Sequence, residues 1–360
     1  MTRSVVHVAG ARPNFPKLAP VMRGLEARGL PQTLVHTGQH YDDAMSDAFF
    51  RDLELPTPDV NLGVGSGTHG QQTAALLVAL EQTLASLAPS LVLVYGDINS
   101  TLAAAISAAK LHLPLGHVEA GLRSFDMTMP EEVNRLVTDR LSELLFVTSP
   151  EAVANLAREG AAPKSIHLVG NPMIDTLFRV RDRLDVALAD EVGQAHGAYA
   201  VVTLHRPSNV DDPDDVRRLV ELLAATSQRL HVVFPVHPRG RRALSDAGLD
   251  DLRNVTMTDP LPYLSFVGLV SGAALVMTDS GGIQEESTML DVPCLTLRPN
   301  TERPVTISHG TNRLVTPETA LAAVDDVVVG AWVGARERPP LWDGRAGERI
   351  AATVVEYLGQ

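Results

Sequence analysis

Apolar residues fall along this chain in two alternating patterns. Short continuous runs, such as LVLVY at 91–95 and ALVM at 274–277, are separated by longer stretches where apolar positions recur every three or four residues. The first pattern predicts strands buried on both faces, and the second predicts amphipathic helices packed against them. Strands are expected at 4–9, 33–37, 91–95, 115–118, 144–148 and 166–169, then at 200–204, 231–235, 254–257, 275–277 and 294–297. Helical stretches lie between them, among them 70–88, 101–111, 130–141 and 213–229, with a last one at 344–358. Such alternation predicts an α/β protein with parallel sheets.

The strands form two sheet-sized sets divided near Gly170-Asn171-Pro172, and 360 residues suffice for two domains. The boundaries expected are 1–170 and 171–343, with the final helix of 344–360 able to pack on either. A net charge of −13 argues against nucleic acid or an anionic membrane as the main partner. Any anionic ligand therefore needs a local basic pocket. Cys294 is the sole cysteine, which excludes an internal disulfide and fits a reducing cytoplasm. No apolar run has the length of a signal-peptide core or a bilayer span, so a cytoplasmic location is expected.

Candidate chemistry gathers where predicted strands end. In ALVMTDSGGIQEES (274–287), Ser280-Gly281-Gly282 opens a helix behind a strand. Free N–H groups and the positive helix end suit a phosphate there, and Glu285 or Glu286 one turn on suits sugar hydroxyls. In HVAGARPNFPKLAP (7–20), Arg12 and Lys17 flank a helix start in the manner of a diphosphate site. Neither the GxGxxG fingerprint nor the Walker lysine spacing is present. Asp97 follows the 91–95 strand, where a helix cap would explain it equally well. Glu119 and Arg123 follow the 115–118 strand, ahead of Pro130-Glu131-Glu132 at a helix start. Acids in a first helical turn need no functional reason, but Glu119 at a strand end must be paired, exposed or functional. His205-Arg206 and the His237, Arg239, Arg241, Arg242 group end two strands of the second half, and His205 can exchange a proton near neutral pH. A metal site fits poorly, because His205 and His237 lack a close-spaced partner. Glu302-Arg303 reads either as a surface pair or as a further ligand contact.

The segments GARPNFPKLAP, TGQHYDD, YGDINST, HVEAGLRSFDMTMPEEVNR, GNPMIDTL, TLHRPSNVD and TDSGGIQEES…LRPNTERP occur in order. In these motifs the chain resembles the non-hydrolysing UDP-N-acetylglucosamine 2-epimerases over essentially its whole length. The resemblance implies two Rossmann-like domains in a glycosyltransferase-B-like fold, an active site in the interdomain cleft, and a last helix that crosses back to the first domain. It implies inversion at carbon 2 between UDP-GlcNAc and UDP-ManNAc, through elimination of UDP and an enzyme-bound 2-acetamidoglucal, with no cofactor. By matched position, the catalytic residues are Asp97, Glu119, Glu131 and His205. Substrate-binding positions are Arg12, Lys17, Arg123, His237, Phe266 near the uracil, Ser280, Gly281 and Gly282 at the diphosphate, Glu286 at the ribose, and Arg303. A homodimer is implied as well.

Gln39 and His40 match part of a second, activating UDP-GlcNAc site of some bacterial relatives. The following Tyr41-Asp42 and SGTHGQQT at 66–73 depart from that pattern, as GARPNFPK departs from the common GTRPEAIK. Activation is therefore not expected to carry over. SGTHGQQT also resembles relatives that act on other UDP-sugars. The alternatives are a hydrolysing 2-epimerase that releases ManNAc and UDP, a 2-epimerase of another UDP-acetamido sugar, a glycosyltransferase of the same fold, and a non-catalytic nucleotide-sugar binder. The joint presence of Asp97, Glu119, Glu131 and His205 argues against the last two, because neither needs to reprotonate carbon 2.

Overall fold

The computed structural model describes residues 3–38, 49–204, 206, 212–236, 238–335 and 337–359. The chain divides into two compact units, Met1–Val180 with Pro340–Gln360, and Arg181–Pro339. The first unit holds strands β1 (Val5–Ala9), β2 (Gln32–His36), β3 (Val60–Asn61), β4 (Leu91–Tyr95), β5 (Leu115–Ala120), β6 (Leu144–Val147) and β7 (Ile166–Leu168). They pair in parallel in the order β3-β2-β1-β4-β5-β6-β7. The central strands β1, β4 and β5 are buried at every position, as expected of a parallel sheet covered on both faces, and they enclose the polar side chains of His7, His117 and Glu119 as well. Strand order reverses between β1 and β4, so the loops leaving these two strands diverge and open a crevice at their C-terminal ends.

The second unit holds β8 (Tyr199–Thr203), β9 (His231–Pro235), β10 (Val255–Thr258), β11 (Leu275–Thr278), β12 (Cys294–Leu297) and β13 (Asn312–Val315). The order is β10-β9-β8-β11-β12-β13, again all parallel, with the reversal between β8 and β11. Its core packs Val202, Phe234, Met277 and Leu295 of the sheet against Leu219, Leu223 and Val324 of the helices.

Two strands escape the apolar pattern. β3 is a two-residue edge strand, and β13 reads NRLV with its centre half-exposed. Edge strands carry polar residues on their open side and so lose the continuous signal. The turn at Gly170–Pro172 lies within the first unit, whose boundary falls after Val180. The reason is packing. The helix Pro172–Val180 lies against the helix Phe15–Glu26, and the Thr176 hydroxyl donates to the Pro16 carbonyl at 2.6 Å.

The last helix, Ala346–Tyr357, belongs to the first unit. It crosses Phe15–Glu26 at two glycines so closely that a Cβ on Gly24 would stand 2.7 Å from the Gly347 carbonyl oxygen. Asp175 accepts from the N–H groups of Ala346 at 3.1 Å and Gly347 at 2.7 Å, capping the helix start. No described helix is long and apolar enough to cross a membrane.

Candidate active site

The reversal point of the first sheet collects five of the expected residues. After β1, Gly10 makes a turn so tight that a Cβ would collide with the hydroxyls of Thr37 and Ser100. The N–H groups of Gly10 and Ala11 both donate to Asn14 Oδ1 at 3.2 Å, and Asn14 Nδ2 donates to the Tyr95 carbonyl at 2.8 Å. The N–H groups expected to greet a phosphate here are thus satisfied by the loop's own asparagine. Two cations remain at this turn. Arg12 is half-buried, and its enclosed Nε has no hydrogen-bond partner among the described residues. Lys17 is buried and forms a short ion pair with Glu119.

Glu119 is the residue that the β5–β6 pairing skips, since the register shifts between Val118 and Ala120. It adopts φ +77°. A non-glycine residue in that region carries backbone strain, and such strain clusters at functional sites. The bulge turns the Glu119 carboxylate toward Lys17 and against Gly96, whose absent Cβ would lie 3.2 Å from both Glu119 Oε2 and Lys17 Nζ. Gly96 itself has φ +64°, so both glycine properties are needed at this turn.

Asp97 follows, about a quarter exposed, with Arg135 Nη1 at 2.5 Å from its carboxylate. The Asp97 carbonyl accepts from Asn134 Nδ2 at 2.8 Å. Of the two acids that open the helix Pro130–Leu141, Glu132 is buried and wholly occupied. It accepts from the N–H groups of Ser124 and Phe125, from the Ser124 hydroxyl, and from Arg135 at 2.6 Å. Burial alone would raise its pKa, but these donors together hold the carboxyl below its ordinary range. Glu131 is half-buried, and its carboxylate has no hydrogen-bond partner among the described residues. Its neighbour builds the loop, which leaves Glu131 available. Asn134 and Arg135, which hold Asp97, were not singled out in the sequence. They lie in the quoted EEVNR segment at helical spacing from Glu131, which was the one available signal.

Arg123 is buried, and its guanidinium pairs with Asp139 at 2.7 Å and, in a two-pronged contact, with Glu159 at 2.7 and 2.8 Å. Expected as a substrate contact, it spends its donors inside the first unit.

In the second unit, β11 runs into Asp279 and the helix Gly281–Met289. Asp279 is fully buried and accepts the Arg206 N–H at 2.9 Å. The Ser280 N–H donates to Thr278 Oγ1 at 2.9 Å, so the donors left at the helix start begin at Gly281. Arg303 lies directly on Gly281, where any Cβ would collide with the guanidinium. Arg303 is also 2.9 Å from the fully buried Glu285 and 3.5 Å from Glu302, which Arg298 grips at 2.8 and 2.9 Å. Glu302-Arg303 is therefore a buried network and not a surface pair. A guanidinium beside a positive helix end has the charge that suits an anionic group such as a diphosphate.

The two glutamates of this helix part company. Glu285 faces Arg303, while Glu286 accepts the Tyr263 hydroxyl at 2.7 Å. Burial pushes the Glu286 carboxyl up to about 7, with the Tyr263 hydrogen bond opposing and Glu285 adding to the shift. Tyr263, unmarked in the sequence, lies on the helix Tyr263–Ser271 that also carries half-buried Phe266. Gln39, His40, His205 and His237 lie outside the described residues. Among the described residues, no cluster of three His, Cys, Asp or Glu side chains could hold a metal ion.

Two doubly wound parallel units with polar groups at their reversal points define the glycosyltransferase-B-like class of α/β proteins. A family model for UDP-N-acetylglucosamine 2-epimerase matches residues 23–355, and the chain belongs to that family. It is 39% identical over 362 residues to the UDP-N-acetylglucosamine 2-epimerase of Methanococcus maripaludis, covering 96% of this chain and 97% of the relative. It is 38% identical over 364 residues to the UDP-2,3-diacetamido-2,3-dideoxy-D-glucuronate 2-epimerase of Pseudomonas aeruginosa, covering 99% of each. The crystal structure of the Methanocaldococcus jannaschii UDP-GlcNAc 2-epimerase in complex with UDP-GlcNAc and UDP is similar throughout, with a TM-score of 0.90 and 38% identity over 98% of this chain and 99% of that one.

Proposed function

We propose that the protein interconverts UDP-GlcNAc and UDP-ManNAc by inverting carbon 2 without net hydrolysis. The observation that carries this reading is the pair of carboxylates at adjacent strand ends. Glu119 is clamped by Lys17 and Asp97 by Arg135, and on the next helix the Glu131 carboxylate has no partner among the described residues. Inversion at carbon 2 needs one group to remove a proton from one face and another to return a proton to the opposite face, so several positioned acids are required.

In the forward step the carbon 2 proton passes to a base. The carbon 1–oxygen bond breaks with its electron pair leaving on UDP, and a carbon 1–carbon 2 double bond forms. Re-addition of UDP at carbon 1, with protonation of carbon 2 from the other face, completes the inversion. The sugar is assigned to Asp97, Glu119 and Glu131, with His205 as a further proton carrier. UDP is assigned to Gly281, Gly282, Arg303 and Glu286 of the second unit, with Phe266 beside the base. Negative charge gathers on the departing diphosphate, and Arg303 beside the helix start is suited to hold it in place for return. No cofactor enters the scheme.

A second reading keeps the chemistry and changes the sugar. Similarity to the Pseudomonas aeruginosa enzyme along 99% of both chains favours a UDP-diacetamido-glucuronate. One experiment separates the readings. The protein is incubated in deuterated water with each UDP-sugar in turn and followed by proton NMR. Deuterium at carbon 2 in both epimers of UDP-GlcNAc supports the first reading, and the same result with the diacetamido sugar alone supports the second. Accumulating ManNAc and UDP identifies a hydrolase, and no exchange with either sugar in folded protein sinks the proposal. Glu119→Gln should slow exchange by about 10²–10⁴-fold while UDP still binds, and wild-type exchange in that variant would remove Glu119 from the chemistry.

A further inference from the structure

His117 lies on β5 two residues before Glu119 and is fully enclosed. Its two ring nitrogens meet two oxygens. Nδ1 is 2.6 Å from Asp139 Oδ1, and Nε2 is 2.8 Å from the carbonyl oxygen of Gly96. A backbone carbonyl only accepts, and so does an ionised carboxylate. The second oxygen of Asp139 accepts the Gly121 N–H at 3.0 Å and Arg123 Nη2 at 2.7 Å. Both groups at that second oxygen are donors, one of them a guanidinium, which is the environment of a carboxylate and not of a carboxylic acid. Burial alone would raise the Asp139 pKa, but the charges and hydrogen bonds of His117 and Arg123 hold it below its ordinary value.

With acceptors on both sides, a neutral imidazole would aim one lone pair at an oxygen in a fully enclosed site, at the cost of a buried unsatisfied acceptor. We infer that His117 is a buried imidazolium, held by Asp139 and Arg123, that acts as a positioning residue by donating to the Gly96 carbonyl and so fixing the Gly96–Asp97 turn against Glu119. The charges balance along the chain of contacts: Glu159 and Asp139 are negative, Arg123 and His117 positive. The charged groups facing the ring are Asp139 from the helix Pro130–Leu141 and, behind it, Arg123 from the loop after β5. Glu119, further along His117's own strand, is taken by Lys17.

The carbonyl is a consequential point of attachment. Gly96 has φ +64° and packs against the Glu119 carboxylate and Lys17, so rotation of its peptide would move Asp97 relative to Glu119. Asn134 and Arg135 hold the next residue from the same helix that supplies Asp139. That single helix thereby fixes both sides of the turn.

The charge state stands by itself, whereas the positioning role rests on the proposed epimerase reading. The test therefore has two readouts. Protein labelled with nitrogen-15 in its histidine rings is measured by NMR at about pH 7.5, where an ordinary exposed histidine is mostly neutral. The ring signal lost in His117→Gln should show protons on both nitrogens, and a single-proton tautomer there overturns the imidazolium. For the role, carbon 2 deuterium exchange is compared with UDP affinity in His117→Gln, which can donate to only one of the two oxygens. Exchange should fall about tenfold or more with UDP affinity held within about twofold, as expected for a misplaced catalytic group. Unchanged exchange overturns the role. If His117→Gln fails to fold, Asp139→Asn takes its place, since it leaves the ring without its anion. That variant should show a single-proton ring and the same selective loss of exchange, and a doubly protonated ring or full exchange in it overturns the inference. Absence of exchange in the wild type refutes the epimerase reading and leaves the ring measurement intact.

Discussion

The difference between Glu285 and Glu286 shows how far neighbouring residues of one type can diverge. Both are buried on the helix Gly281–Met289, one against Arg303 and the other against the Tyr263 hydroxyl. Burial holds the Glu286 carboxyl at about 7, with no ion pair to it among the described residues, so its charge changes near neutral pH. A carboxylate that accepts ribose hydroxyls binds better ionised than protonated. Affinity for UDP-GlcNAc should therefore strengthen as pH rises through about 7 and weaken as it falls below. Glu286→Gln should flatten that dependence and cost about 1–3 kcal/mol of binding above it. Titration calorimetry at several pH values checks both points, and an equally steep profile in the variant would remove Glu286 from the ribose site. Glu131 and Glu132 make the same case. The sequence shows two acids at a helix start, and the folded loop engages Glu132 while the Glu131 carboxylate has no partner among the described residues.

At the level of elements, the first unit is closed by the helix Ala346–Tyr357. Its seat depends on two glycines and on Asp175, which caps the helix start. Burial pushes the Asp175 carboxyl up to about 6, against the two N–H donors that pull it down. The folded protein therefore binds this proton more tightly than the unfolded chain does. Between about pH 4 and 6 the Asp175 contribution to stability decreases as pH rises, by at most about 3 kcal/mol for a shift of this size. Comparing denaturant unfolding of wild type and Asp175→Asn across that range should show the wild type losing ground to the variant toward neutral pH. The opposite slope would mean that the N–H donors outweigh burial. The same element scale explains which strands were legible in the sequence. β1, β4, β5, β8, β9 and β11 are fully or nearly fully buried, so their composition is mostly apolar, with a few enclosed polar side chains such as His7, His117 and Glu119. β3 and β13 lie at sheet edges, where composition follows exposure and the signal fades.

At the level of the whole molecule, residues 340–360 belong with the beginning of the chain. Trp342 donates to the Thr148 carbonyl at 2.9 Å, and Gly347 packs on Pro20 of the helix Phe15–Glu26. Removing residues 340–360 should strip hydrogen-exchange protection from Phe15–Glu26 and Pro172–Val180 and leave the strands of Arg181–Pro339 protected. Uniform loss across both units would refute that division. The alternation of strands and helices, the two parallel sheets, and the placing of Asp97, Glu119, Glu131 and Ser280–Gly282 at or near element ends are legible in the amino-acid order, because burial periodicity and turn chemistry are local properties. Which of those groups are engaged is settled only once the chain has folded. Asn14 closes the first turn's N–H groups, Arg123 faces Asp139 and Glu159, Arg135 clamps Asp97, and Tyr263 takes Glu286. Most of these pairings join residues tens of positions apart, and even the local ones depend on how a turn closes. A charged side chain's partner is set by which surfaces the fold brings together, information that no window of sequence contains.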